Sequence, residues 1–185
     1  QAAKFGLRGV LTSPQFLLFD ELPGARLSDY AVASRLSYFL WSTLPDEELM
    51  KLAAAKKLHD PATLKAQVNR MIADPRGKAF VKNFAGQWLD LRSIDATSPD
   101  ANLYPEFDEM LKLAMVGETE SFFTELLRKD LPVTNFIQSD FVMLNHRIAQ
   151  HYGIGADVAK GEEFVRVSLP ADSVRGGVLT QASIL

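Results

Sequence analysis

The side chains of this sequence that could carry chemistry are few and stand apart. Its histidines are His59, His146 and His151. On a helix, five residues turn through about 500°, so His146 and His151 point about 140° apart. They do not form the i, i+4 pair with which a helix holds zinc. His59 stands next to a helix cap and is expected to face solvent. The chain has no cysteine, which removes disulfides, thiolate ligands, thiol nucleophiles and covalent haem attachment from it. The nucleophile-elbow pattern Gly-X-Ser-X-Gly is absent. Arg175-Gly176-Gly177 precedes an expected helix, where glycines let an anion approach backbone N–H groups. The remaining glycines and the lysine of a phosphate loop are missing. No catalytic residue and no metal ligand emerges from these spacings.

Two charged residues fall on apolar helix faces. Glu118 shares a face with Leu111, Met115 and Phe122, and Arg35 stands near Ala31, Tyr38 and Phe39. An isolated buried charge is costly, so each should have a partner. The expectation is a structural buried ion pair, Arg35 with Glu118, that fixes helix register. Glu118 and Glu120 are two residues apart and face different ways, so they do not make an acid/base dyad.

The elements that position these residues are helical. A helix over Ala2 to Thr12 ends at Ser13-Pro14, since proline disfavours helix in its predecessor. Residues 15–24 read as a connector with a Leu22-Pro23-Gly24 turn. Ser28 caps a helix over Asp29 to Ser42 that is apolar nearly all round, which argues for a central, buried position. Pro45, Asp60-Pro61 and Asp74-Pro75 start three more helices. The last of these spaces Phe80, Phe84 and Trp88 at i, i+4, i+8, as core packing does. After a polar loop, Pro105 opens the longest helix, Glu106 to Lys129. Asn145 caps another that runs to Tyr152 and closes at Gly153. Phe164 to Leu169 alternates like a lone strand, and Val174 to Leu185 looks like the opening of a further helix. The fold class is therefore all-α: a multi-helix orthogonal or bundle-like domain of about seven or eight helices, with at most one short strand near 163–169. Residues 1–170 read as the helical domain and 171–185 as the start of a following one.

Composition excludes several function classes. The net charge is −3, with 20 basic and 23 acidic residues interspersed, so there is no basic face for nucleic acid. Lys56, Lys57, Arg76, Lys78 and Lys82 each have acids nearby and read as solvated helix faces. The longest apolar runs, such as Phe16 to Phe19 and Tyr38 to Trp41, fall far short of the roughly 20 residues a spanning helix needs. No charged segment followed by an apolar one opens the sequence as a signal peptide would.

Six segments, taken in order, resemble a family of large exported bacterial proteins that is abundant in planctomycetes and carries domains of unknown function beside c-type cytochrome domains. They are LTSPQFL at 11–17, LSDY at 27–30 through LPDEEL at 44–49, DPR at 74–76, NFAGQWL at 83–89, LNHRIAQHYG at 144–153 and RGGVLTQ at 175–181. The resemblance implies a periplasmic or otherwise exported setting. It also implies a haem c held by a Cys-X-X-Cys-His domain that follows the segment beginning at Arg175. Neighbouring domains of the same polypeptide are the implied partners. It supplies no catalytic residues. On this reading the chain is a non-catalytic helical scaffold. The alternative is part of a redox enzyme or electron-transfer unit that lends a wall or a distal ligand to the haem. Met143, His146 and His151 are then the side chains of eligible type.

Overall fold

The computed structural model describes residues 1–18, 24, 26–96 and 98–184. These residues are mostly helical, with eight α-helices and a single two-stranded antiparallel sheet among them. The chain divides into two compact units, residues 1–71 and 72–185.

In the first unit, polar caps decide where helices begin. Helix α1 is Ala2–Leu11 and α2 is one turn, Pro14–Leu17, with the Ser13 side chain accepting from the Phe16 N–H. Ser28 accepts from the Ala31 N–H to start α3, Asp29–Trp41, and Asp46 accepts from the Leu49 N–H to start α4, Glu47–Ala54. Asp60 accepts from the N–H and hydroxyl of Thr63 at the start of α5, Pro61–Ala73. Each cap satisfies donors that a helix N-terminus leaves unpaired. Ala33, Leu40, Trp41, Leu49, Ala53, Leu58 and Met71 are buried. The Trp41 indole N–H donates to the Met71 carbonyl at 2.9 Å.

Three expectations are corrected here. Helix α3 is not buried all round: Tyr30, Tyr38 and Phe39 are exposed while Ala33, Ser37, Leu40 and Trp41 are buried. An all-apolar helix has more than one face to offer, and packing takes up one. Residues 15–17 of the expected connector are helical because Pro14 occupies the first turn behind a serine cap. Of the Leu22-Pro23-Gly24 turn, only Gly24 lies within the described residues, with φ 78°. His59 does not face solvent freely. It is half-buried, and its Nε2 lies 2.8 Å from the Leu27 carbonyl oxygen.

The second unit is built around one long helix. A 3-10 turn, Pro75–Gly77, capped by Asp74, leads into α6, Lys78–Trp88. After a 3-10 segment at Leu91–Ala96 comes α7, Glu109–Lys129. It starts later than Pro105 suggests because Asp108, not the proline, supplies the cap, accepting from the Leu111 N–H. Strand β1, Phe141–Leu144, pairs antiparallel with β2, Val165–Ser168, in the register Phe141 to Ser168 and Leu144 to Val165. Between them lies α8, His146–Tyr152, capped by Asn145 and closed by Gly153 at φ 68°.

The second strand is an addition to the single one expected. Phe141 to Leu144 is buried throughout, so it lacks the alternation that marks a half-exposed strand. The Phe80, Phe84, Trp88 stripe is a half-exposed aromatic ladder rather than core. Phe84 and Trp88 stay exposed, while rings stack from Phe80 to Phe84 at 5.3 Å and from Trp88 to Phe136 at 5.3 Å. The buried face of α6 is Val81, Ala85 and Gly86, whose small side chains suit close approach. The expected closing helix is only a 3-10 turn, Val178–Thr180. Gly177 before it, at φ 84°, is pressed against the Ile137 carbonyl.

Candidate functional site

The second unit holds its polar chemistry in one place, where α7, α8 and the segment 175–184 meet. Glu118 sits on the α7 face that also buries Leu111, Met115 and Phe122, and has no exposed surface. Tyr152, the last residue of α8, donates its hydroxyl to Glu118 Oε2 at 2.6 Å. The same hydroxyl accepts from the Ala182 N–H at 2.7 Å. One phenol thus bridges a buried carboxyl and the backbone of the segment. Glu118 Oε1 is buried and has no hydrogen-bond partner among the described residues.

The segment is held at two further points. Arg175 lays its guanidinium over the Tyr152 ring, 3.5 Å from the centroid, and donates to the Thr180 carbonyl at 2.8 Å. Stacking of this kind orients the cation without placing it on the carboxylate. Next to Glu118, the buried Thr119 hydroxyl donates to Gln181 Oε1 at 2.6 Å and lies 2.7 Å from the Ser183 hydroxyl.

Burial decides the protonation of this cluster. Loss of hydration pushes the Glu118 carboxyl up to about 7, against smaller opposing effects of the Tyr152 hydroxyl and Arg175. Burial, reinforced by the Glu118 charge, raises the Tyr152 phenol well above its ordinary value, so it stays neutral and donates. Partial loss of hydration pushes the His151 imidazole below its ordinary value, against the pull of Glu106.

Beside the cluster lies a cleft of about 610 Å³, within the range of small-molecule sites. Ile94, Tyr104, Phe107, Leu111 and Met115 give it apolar walls, and His151, Ser183 and Glu106 its polar edges. Ala182 and Ser183 line the cleft and also bind the buried cluster. Arg147 of α8 donates to the carbonyl of Glu106, a cleft residue, and lies 3.4 Å from Asp108.

The residues singled out in the sequence fall on several elements of the two units. Glu118 is inward-facing, and the partners found for it are Tyr152 and Arg175. Arg35 belongs to the first unit, where it is exposed on α3 beside Leu36, Tyr38 and Phe39. Met143 is packed in a hydrophobic cluster with Phe122, Leu126, Phe141 and Val178. His146 and His151 are both exposed on α8, and His151 also lines the cleft. Among the described residues, no group of three or more His, Asp or Glu side chains is placed to hold a metal ion. No described helix is long and apolar enough to cross a membrane. The sequence reading missed Tyr152, Thr119 and Gln181. The one signal available for Tyr152 was a hydroxyl-bearing aromatic at the end of a capped helix.

Searches of curated proteins and of solved structures returned no significant match. The signature of the family PSD4, described as a protein of unknown function (DUF1592), matches residues 27–154. That match spans most of the sequence, α3 through α8, and the chain belongs to the DUF1592 family.

Proposed function

We propose that this chain is a non-catalytic helical scaffold and interaction module of a larger exported protein associated with cytochrome c. The observation that carries the reading is helix α1, which buries none of its residues. Phe5, Leu7, Val10 and Leu11 on α1, and Phe16 and Leu17 on α2, are all exposed. Apolar surface of this kind marks an interaction site, and neighbouring domains of the same polypeptide are the proposed occupants. The six ordered segments from Leu11 to Gln181 support the cytochrome association and the exported setting. Covalent haem needs cysteines that this chain lacks, so the haem belongs to the following domain and no redox step is assigned to these residues.

Hydrogen exchange tests the scaffold reading. Amides of residues 2–17 should exchange rapidly in the isolated chain and become protected at least tenfold in the full-length protein. Equal exchange in both would remove it. A downstream sequence without Cys-X-X-Cys-His would remove the cytochrome association.

One observation favours the second reading, an electron-transfer unit that contributes a distal haem ligand. His151 lines a cleft, and partial loss of hydration pushes its imidazole toward the neutral form that a ligand must take. The visible spectrum of the full-length protein decides, compared with Met143→Ala, His146→Ala and His151→Ala. Only His151→Ala should move the haem bands. Unmoved bands in that variant would reject the reading.

A further inference from the structure

We propose that residues 175–184 form a proton-operated latch: the segment is clamped to α7 and α8 while the buried Glu118 carboxyl holds its proton, and loosens, opening the wall of the adjoining cleft, when that proton leaves. The geometry places every part needed. The Tyr152 hydroxyl is the pin, joined to Glu118 on one side and to the Ala182 N–H on the other. Thr119, the next residue of α7, holds Gln181 and Ser183. Ala182 and Ser183 are at once clamped residues and cleft wall.

If Glu118 ionises in place, the Tyr152 hydroxyl meets Oε2 while Oε1 has no donor, and an ionised carboxylate buried with so little compensation is costlier than a protonated one. Among the groups around it, α8 presents Tyr152, which stays neutral, and β1 presents only Phe141, Val142, Met143 and Leu144. Arg166 of β2 is engaged with Glu125 and Asp140. On α7 itself, Glu120 turns toward Lys82 of α6. His151 faces the cleft and Arg147 the Glu106 carbonyl. The cation that bears on Glu118 is Arg175, which is part of the segment and is engaged with the Tyr152 ring and the Thr180 carbonyl. Arg175 rests on the Tyr152 ring rather than on the carboxylate, so an ionised Glu118 regains its hydration by admitting water, and water enters when the segment lifts.

The direction follows from linkage. The carboxyl binds its proton up to about pH 7 when clamped and only to about 4.5 when exposed. The opening equilibrium therefore rises about tenfold per pH unit between those limits and levels off above 7.

The experiment is residue-resolved hydrogen exchange on the chain from pH 5 to 8.5, corrected for intrinsic rates, with the Glu118 carboxyl followed by carbon NMR. The protection factor of the Ala182 amide should fall about tenfold between pH 5.5 and 6.5 and flatten above pH 7. The Glu118 carboxyl should titrate at the pH where it flattens, while the α7 amides of Phe122 and Phe123 stay protected. In Glu118→Gln, Ala182 protection should not vary with pH. Ala182 protection that is constant in wild type, or that falls in step with Phe122 and Phe123, would overturn the latch. So would the same pH dependence in Glu118→Gln. If that variant does not fold, the wild-type comparison of Ala182 with the Glu118 titration decides alone.

Discussion

The Tyr152 hydroxyl donates a 2.6 Å hydrogen bond to Glu118, a carboxyl with no exposed surface. The contact joins α8 to the middle of α7, across 34 residues of sequence. It makes stability depend on pH. Glu118 is raised to about 7 in the folded state from 4.5. A carboxyl raised by folding contributes most below its unfolded value, and that contribution is lost as pH rises through the folded one. Wild type should therefore lose about 2–3 kcal/mol relative to Glu118→Gln between pH 4.5 and 7.5. Urea midpoints of both proteins across that range check this, and parallel curves would refute it.

Tyr152→Phe keeps the ring, so Arg175 retains its stacking surface. It removes the one oxygen shared by Glu118 and Ala182. Two buried polar groups then lack partners, at a cost of about 2–4 kcal/mol at pH 5. With its donor gone, Glu118 should titrate still higher, which carbon NMR of the carboxyl reads directly. A loss below about 0.5 kcal/mol would mean that water takes over the bridge.

Helix geometry made half of this site legible. Glu118 could be read as inward because Leu111, Met115 and Phe122 share its face. Nothing in the spacing shows what lies opposite that face. Tyr152, Arg175 and Gln181 come from distant segments, and periodicity reports which side of a helix is buried rather than which residue meets it. The same limit explains α3, whose apolar residues run all round although Tyr38 and Phe39 remain exposed. The caps at Ser28, Asn145 and Gly153 are local and read well, whereas Pro45 hides the cap at Asp46. Asp108 was overlooked because Pro105 offered a plausible start three residues earlier. Strand β1 carries no polar residue to mark its period.

Two glycines separate strain from crowding. Gly153 and Gly177 both have positive φ, 68° and 84°. A Cβ on Gly153 meets nothing within 4 Å, whereas one on Gly177 would stand 2.5 Å from the Ile137 carbonyl oxygen. Gly153→Ala should cost about 1 kcal/mol from the left-handed backbone alone. Gly177→Ala should cost at least about 2 kcal/mol more, since backbone cannot move aside as a side chain can. Thermal unfolding ranks them. Equal losses would mean that residues 136–137 and 177 do not pack as described.

In the first unit, Arg70 is a test of geometry over charge. Its guanidinium grips Asp46 at 2.7 and 3.2 Å and donates to Gln67 at 2.8 Å. It also lies 5.4 Å from the Trp41 ring centroid. Asp46 at the same time caps α4 through the Leu49 N–H. A lysine offers one point charge and cannot reproduce the fork. Arg70→Lys should therefore recover less than half of the 1–2 kcal/mol or so lost in Arg70→Ala. Asp46→Asn keeps a side-chain oxygen for Leu49 and should lose only the ion-pair share, while Asp46→Ala loses the cap as well, about 1 kcal/mol more. Urea denaturation followed by circular dichroism measures all four. Full rescue by lysine, or identical losses in the two Asp46 variants, would show that charge alone holds α4 to α5.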